Sequence, residues 1–547
     1  MKKGILTVLL TATMLISVFS GCGASQTTES TTAKTSPQQA AKSTTEVVTE
    51  STEETVVVAS AEAATLDVLR VGVQALPKSL DPGVGIGNAF LMLGKNIFDT
   101  VMVKDGFNGN EMTSNICEKW ENINDTTFEF KLKEGITFHN GIELTAKDVE
   151  YTLERALFGD SSYFGATLTA ILPGLKDVEV IDAYTFRIIV EDADPVLVDR
   201  LSSTMGFYIV PKDYVEMVGN EEFGLMPIGT GPYKVVEFTP NSLVLEYYEG
   251  FYGERPTAER IEYILYPELS TRLTALLNGE IDVAFGLSPE SVETVESAGL
   301  KVNSTVVDSI HMLCYNSSIE PMDDPNLRKA LNLAIDRESL AEYIWSGQAK
   351  VLNGYNFPSY GEYYVKDFPN YEYNPEKAKE LLAQSDYHGE TIYYDLQSGY
   401  YTLGNEVAEA IASMWQAIGI NVEIRYTDVW EYDSFHVHNW SNGPRFADPA
   451  GGLWLLWGEG TRCESTYWQN EDTWAEYVEN AKTLLTSYDQ QERYDANVRM
   501  LELWEEECVG TALFQITEIA GVRPGIEFLR TGDFAVDFRA GHLNVVE

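Results

Sequence analysis

From Leu66 onward, hydrophobic positions recur with two different periods, and their alternation predicts a mixed α/β body. The run Leu66–Gln74 (Leu-Asp-Val-Leu-Arg-Val-Gly-Val-Gln) predicts a strand that ends at the turn around Pro77. Further strands are predicted at Thr127–Lys133, Thr185–Val190, Leu243–Tyr248, Glu262–Tyr266, His311–Asn316 and Asn421–Tyr426. Helical spacing marks Ala89–Val101, Thr145–Leu157, Thr271–Leu277, Leu327–Trp345, Pro375–Gln384, Asn405–Ile418, Thr473–Ser487 and Gln491–Glu507. Two of these carry start signals: Thr145 with Asp148 is a capping box, and Asn374-Pro375 supplies an N-cap followed by proline at the first helical position. No internal repeat is visible.

Ahead of this body the pattern changes. Lys2 and Lys3 precede an apolar run from Ile5 to Phe19, and Ser20-Gly21-Cys22 follow it, which is the make-up of a secretory signal. The run is too short for a comfortable membrane span. Its end resembles a bacterial lipobox, with Phe19 where Leu or Val is usual, so cleavage is expected before Cys22 and lipidation on it. Residues 23–64 are almost entirely Ser, Thr, Ala, Gln and Glu without an aromatic, a composition that cannot bury enough apolar surface to fold. They read as a disordered tether, on which a coil of this length lets the body float a few tens of ångströms off the membrane. Such a tether suits a protein held on the extracellular face of a single-membrane cell, or on the periplasmic side where an outer membrane exists.

Composition narrows the function. No second apolar run has membrane-spanning length, and 44% hydrophobic residues suffice for a large body of two or more lobes. With 84 acidic against 38 basic side chains the formal charge is -46, which repels nucleic acid and anionic lipid and leaves the lipid anchor as the membrane link. Beyond Cys22 there are Cys117, Cys314, Cys463 and Cys508, which allow three pairings, none with a Cys-x-x-Cys spacing. Buried free thiols are expected, with Cys463–Cys508 the pair to test. The motifs of serine, zinc and phosphate-binding enzymes are absent, and no cofactor is expected. Of the histidines, His436 and His438 alternate as on one strand face, a spacing open both to a metal and to a plain polar face.

Several blocks then fall in a telling order: Ser79-Leu80-Asp81-Pro82, Asn96-Ile97-Phe98-Asp99-Thr100, Phe128–Gly141 with Leu144–Val149, and Gly229-Thr230-Gly231-Pro232-Tyr233. Leu277–Asp282, Leu327–Arg337 and Tyr373–Ala378 follow. Over 66–547 this set resembles the family 5 extracellular solute-binding proteins, the peptide- and nickel-binding subunits of ABC importers. Each block also has a structural reading. Gly229 and Gly231 suit a tight turn, His139 a structural role, and Arg328 and Arg337 pairing with acids such as Asp324 or Asp336.

The resemblance implies a two-lobed periplasmic-binding-protein-like fold (type II, cluster C), with an inserted subdomain and a hinge. After a signal peptide (1–21) and lipidated tether (22–65), lobe I would cover 66–306 with the insertion at about 101–215. Lobe II would cover 307–510, and 511–547 would return to lobe I. The implied partners are a small-molecule or peptide ligand, an ABC permease and its ATPase, with the protein a monomer and no catalysis. Ligand contacts are implied at Ile86, Asn88, Phe90, Tyr400, Tyr401, Trp440, Asn442, Arg445, Phe514 and Gln515. Peptide binders of the family commonly place an aspartate four residues before the proline of an Asp-Pro step, where it holds the peptide ammonium; here Arg445 stands four before Pro449. A guanidinium at that position offers a fork to a carboxylate or phosphate. The competing expectation is that Arg445 pairs with Asp448 or another acid. A nickel or metal chelate, a sugar or an opine-like solute is an alternative ligand, and a surface receptor or adhesion lipoprotein without transport an alternative role.

Overall fold

A ten-stranded mixed sheet dominates the computed structural model, which describes residues 65–84, 87–107, 110–159, 167–205, 207–397, 401–427 and 434–546. The signal segment, Cys22 and the tether lie outside the described residues, as do Ile86 and Tyr400. From one edge the strand order is Asn421–Tyr426, Thr391–Leu396, Val437–Asn442, Lys301–Tyr315 and Gly510–Val522, then Val283–Leu287, Leu69–Val73, Arg260–Leu265, Ser242–Tyr247 and Tyr233–Phe238. Leu69–Val73 pairs in parallel with both neighbours, as does Thr391–Leu396, whereas the two long central strands are antiparallel.

A second, four-stranded antiparallel sheet is formed by Cys117–Asn124, Thr127–Leu132, Leu175–Val180 and Thr185–Val190. Its strand Thr127–Leu132 buries Phe128, Phe130 and Leu132 on one face, the alternation that period two demands. The helix Ala146–Phe158 covers this sheet, and the Asp148 carboxylate accepts from the Thr145 hydroxyl and backbone N–H at its start, at 2.8 and 2.9 Å. One apolar cluster joins this sheet to residues around Trp457 and Trp504; others fill the faces around Tyr233 and Tyr263, around Trp345 and Trp415, and around Leu276 and Val295.

Several expectations need correction. The single helix expected over Leu327–Trp345 is broken into Pro325–Leu333, Arg337–Ser339 and a π-helical turn at Leu340–Ile344. The break follows from Asp336, whose side chain caps the second piece by accepting from Ser339 N–H at 3.0 Å. Arg328 and Arg337 do not pair with Asp324 or Asp336. Both are buried, and they donate to the carbonyls of Met322, Glu507 and Cys508, and of Ala512, tying helix to strand. Cys117, Cys314, Cys463 and Cys508 are all buried and free.

The Gly-Thr-Gly turn is tight for a reason of approach. A Cβ on Gly229 would sit 2.1 Å from the Ile97 carbonyl oxygen, and one on Gly231 2.6 Å from the Ile97 carbonyl carbon, at the end of helix Asn88–Ile97. His139 clamps the same turn, accepting from Gly229 N–H at Nδ1 and meeting the Gly231 carbonyl at Nε2. Burial lowers its pKa to about 4, so the ring is neutral and structural.

Candidate solute-binding cavity

A cavity of about 200 Å³ lies where helix Asn88–Ile97, the segment 98–115, the loop after strand Val437–Asn442 and residues 531–539 converge. Its wall is crowded with charge: Lys95, Asp99, Lys104, Asp308, Arg445, Asp533, Asp537 and Arg539. Most of these are committed to one another. Arg539 bridges Asp99 at 2.8 Å and Asp537 at 3.4 Å, Lys95 holds Asp533 at 2.5 Å, and Lys104 holds Asp199 at 2.7 Å. Asp99, from the Asn96–Thr100 block, also accepts from Thr230, Tyr252 and Asn115, so the charge that lines the cavity is fixed by a hydrogen-bonded network.

Arg445 is different. Asp448, the acid nearest in sequence, is taken by Arg493 in a buried two-pronged pair at 2.8 and 2.9 Å. No ion pair or side-chain hydrogen bond reaches the Arg445 guanidinium among the described residues, and its buried Nε has no partner. Its backbone is nonetheless fixed, the N–H donating to Gly451 at 2.8 Å. Burial pulls its pKa down from the ordinary value, but a guanidinium stays protonated. Asn442 beside it spends its carbonyl oxygen on the Tyr355 hydroxyl at 3.1 Å and leaves its buried Nδ2 unpartnered. A cationic fork and an amide donor thus face one space, a donor set for an anionic oxygen pair.

The residues expected at the ligand divide into two groups. Asn88, Asn442 and Arg445 lie on the cavity wall. Phe90 is buried against Phe98 and Tyr208, the last of which reaches the wall. Phe514 is buried in a cluster with Trp345 and His311, Tyr401 packs edge-on to His311 and accepts from Ser441 N–H, and Trp440 leans on Trp457. Gln515 is buried and donates to Asp308 at 3.2 Å. His436 accepts from Tyr393 N–H at Nδ1, and both ring nitrogens of His438 are engaged within the protein, by the Asn439 carbonyl and the Tyr467 hydroxyl.

Asp308 was not evident from the sequence. The long strand Lys301–Tyr315 loses register with Gly510–Val522 between Val306 and Ile310, and this bulge places Asp308 at the wall. Its N–H donates to Gly532 at 2.6 Å, and burial pushes its carboxyl up to about 6 while the Asp533 charge adds and Ser359 and Gln515 oppose.

The same architecture recurs in solved proteins. A peptide-binding periplasmic protein DppA of Helicobacter pylori, in complex with the peptide STSA, aligns with a TM-score of 0.76 at 21% identity, over 88% of this chain and 98% of that one. NikA of Brucella suis, in complex with Fe(III)-EDTA, gives 0.78 at 19% identity, over 88% and 100%. The fold is therefore that of the type II periplasmic binding proteins. Residues 111–462 match the family model described as bacterial extracellular solute-binding proteins, family 5, middle region, and the chain belongs to that family. A probable di/tripeptide-binding protein 5 of Pseudomonas aeruginosa is 29% identical over 294 residues, which cover 49% of this chain and 55% of that relative. The chain thus spans little more than half the length of this curated relative.

Proposed function

We propose that this protein is the substrate-capturing lipoprotein of an ABC importer, taking a peptide or other small carboxylate-bearing solute and handing it to the permease without making or breaking a bond. The observation that carries the ligand class is Arg445, a guanidinium on the cavity wall whose natural partner Asp448 is already held by Arg493. Family membership and the peptide-binding relatives support the importer role. In this reading lobe I (66–306, with 511–547) and lobe II (307–510) close on the solute about the crossing strands, and closure signals occupancy to the permease. Cys22 carries the lipid that keeps the receptor within reach of its permease and raises its effective concentration there.

Among the described residues no helix is long and apolar enough to cross a membrane, and no cluster of His, Cys, Asp or Glu is suited to holding a bare metal ion. A metal would therefore enter as an anionic chelate, which Arg445 would serve equally. Native mass spectrometry of the freshly purified protein identifies the solute it retains. Calorimetry with that solute on wild type and Arg445→Ala then tests the role. The variant is expected to bind at least about tenfold more weakly, the scale of a lost charge-assisted hydrogen bond, and unchanged affinity would overturn the assignment.

A further inference from the structure

Among the described residues, eight charged side chains line the cavity wall; six are engaged in ion pairs within 4.0 Å and two are not: Arg445 and Asp308. The unpaired two have opposite sign. They also stand on adjoining backbone, since a Cβ on Gly443 would lie 1.9 Å from the Asp308 carbonyl oxygen, and Arg445 is two residues further along. Two residues of chain span at most about 7 Å, so one small molecule is enough to reach both side chains.

We infer that the cavity takes a small zwitterion of amino-acid or short-peptide type, with its ammonium against Asp308 and its carboxylate against Arg445. This deepens the proposed function and rests on its reading of Arg445. It also reverses the polarity expected of peptide binders, in which the loop after the sheet strand supplies an acid for the ammonium. Here that loop supplies the base, and the acid comes from the bulge of the long strand.

Three observations support Asp308 as the cation subsite. The bulge releases Val307–Ser309 from the ladder, so the side chain is aimed by the fold and not by strand alternation. Among the described residues the side chains that hydrogen-bond it are the Gln515 amide, at 3.2 Å, and the Ser359 hydroxyl, neutral donors that orient the carboxylate without neutralising it. The charge acting on it is the like charge of Asp533, itself held by Lys95; Arg445 has beside it the Tyr355 hydroxyl, which burial keeps protonated and neutral. Neither Asp308 nor Arg445 quenches the other, and each unpaired, partly buried charge is costly until an opposite one arrives. A free ammonium would answer the Asp308 side, and a carboxylate the Arg445 side.

The test is capture from a casein hydrolysate offered in three forms: untreated, N-acetylated, and amidated at its carboxyl groups. Full-length protein, stripped of bound solute by mild denaturant and refolded, is incubated with each pool and read by native mass spectrometry. Capture from the untreated pool, with occupancy at least tenfold lower from both blocked pools, is expected. Equal capture from the acetylated pool would overturn the Asp308 subsite while leaving the carboxylate reading intact. Equal capture from the amidated pool would overturn the Arg445 reading as well, and capture from no pool overturns both. Asp308→Asn, close to isosteric, should narrow the preference for untreated over acetylated solute by tenfold or more; an unchanged preference in a folded variant also counts against the proposal. Should that variant fail to fold, the three-pool comparison on wild type decides alone.

Discussion

At the scale of single residues, the wall of the cavity shows how a fold holds charges apart from their natural partners. Arg493 occupies Asp448, Lys95 occupies Asp533, and Arg539 occupies both Asp99 and Asp537, so Arg445 and Asp308 are left to face solvent or solute. Leaving Asp308 unpaired has a stability consequence with a definite sign. Its carboxyl ionises near 3.8 in an unfolded chain and at about 6 in the fold, because burial penalises the charge and Asp533 adds to the penalty, against the hydrogen bonds of Ser359 and Gln515. The native state therefore holds the proton more tightly, and stability falls as pH rises from about 4 through 6, the penalty being complete above that window. Asp308→Asn removes the penalty. The variant should be more stable than wild type at pH 7.5 by up to about 3 kcal/mol, with the gain vanishing near pH 4. Urea denaturation at the two pH values checks this, and a variant less stable at pH 7.5 would mean that the carboxylate has a cationic partner in the protein after all. Glu505, whose carboxyl burial pushes up to about 7 far from Asp308 in sequence, contributes a slope of the same sign to both proteins and cancels in the comparison.

At the scale of elements, what the sequence discloses depends on whether a strand has two different faces. Thr127–Leu132 and Thr185–Val190 alternate buried and half-buried positions, and period two found both. Gly510–Val522 is buried at all but one of its positions and Val283–Leu287 at all but one of its own, so neither offers an alternation to read, and both went unpredicted. Helices with side-chain caps were found to within about two residues, as with Asn374 and Thr145, whereas the internal cap at Asp336 split a helix that periodicity alone joined. The same limit applies to the site. The places of Arg445 and Asn442 on the cavity wall were legible because they sit in a motif with a fixed spacing to Asp-Pro; that of Asp308 was not, because a bulge shifts register by an amount no periodicity records. The contact that seats the bulge is Gly443, where an added methyl would collide with backbone at 1.9 Å. Gly443→Ala should cost about 1–3 kcal/mol of stability and weaken solute capture by moving Asp308 relative to Arg445. A melting curve and a binding isotherm measured on one preparation check the two effects together. Wild-type stability with wild-type affinity would show that the bulge tolerates displacement.

At the scale of the molecule, the net charge of -46 bears on which solutes arrive, whereas the two unpaired wall charges bear on which are kept. A body so acidic lowers the local concentration of anions and raises that of cations, over a range set by the Debye length, about 10 Å at 0.1 M salt. A simple carboxylate bound only by Arg445 would have to approach against this field. A zwitterion carries its carboxylate in without net charge, so the surface and the site make compatible demands on the same solute. The consequence is kinetic. Association of Ala-Ala, neutral overall, should be nearly independent of ionic strength, that of Ala-Glu should accelerate as salt rises from about 20 mM to about 300 mM, and that of Ala-Lys should slow. Stopped-flow tryptophan fluorescence reads these rates, since Trp440, packed on Trp457, belongs to the strand that leads into the Arg445 loop. Dissociation rates should stay nearly constant across the same range for all three peptides, because the bound ends are enclosed and poorly screened. If the three association rates share one salt dependence, the acidic surface has no part in selection, and discrimination lies wholly within the cavity.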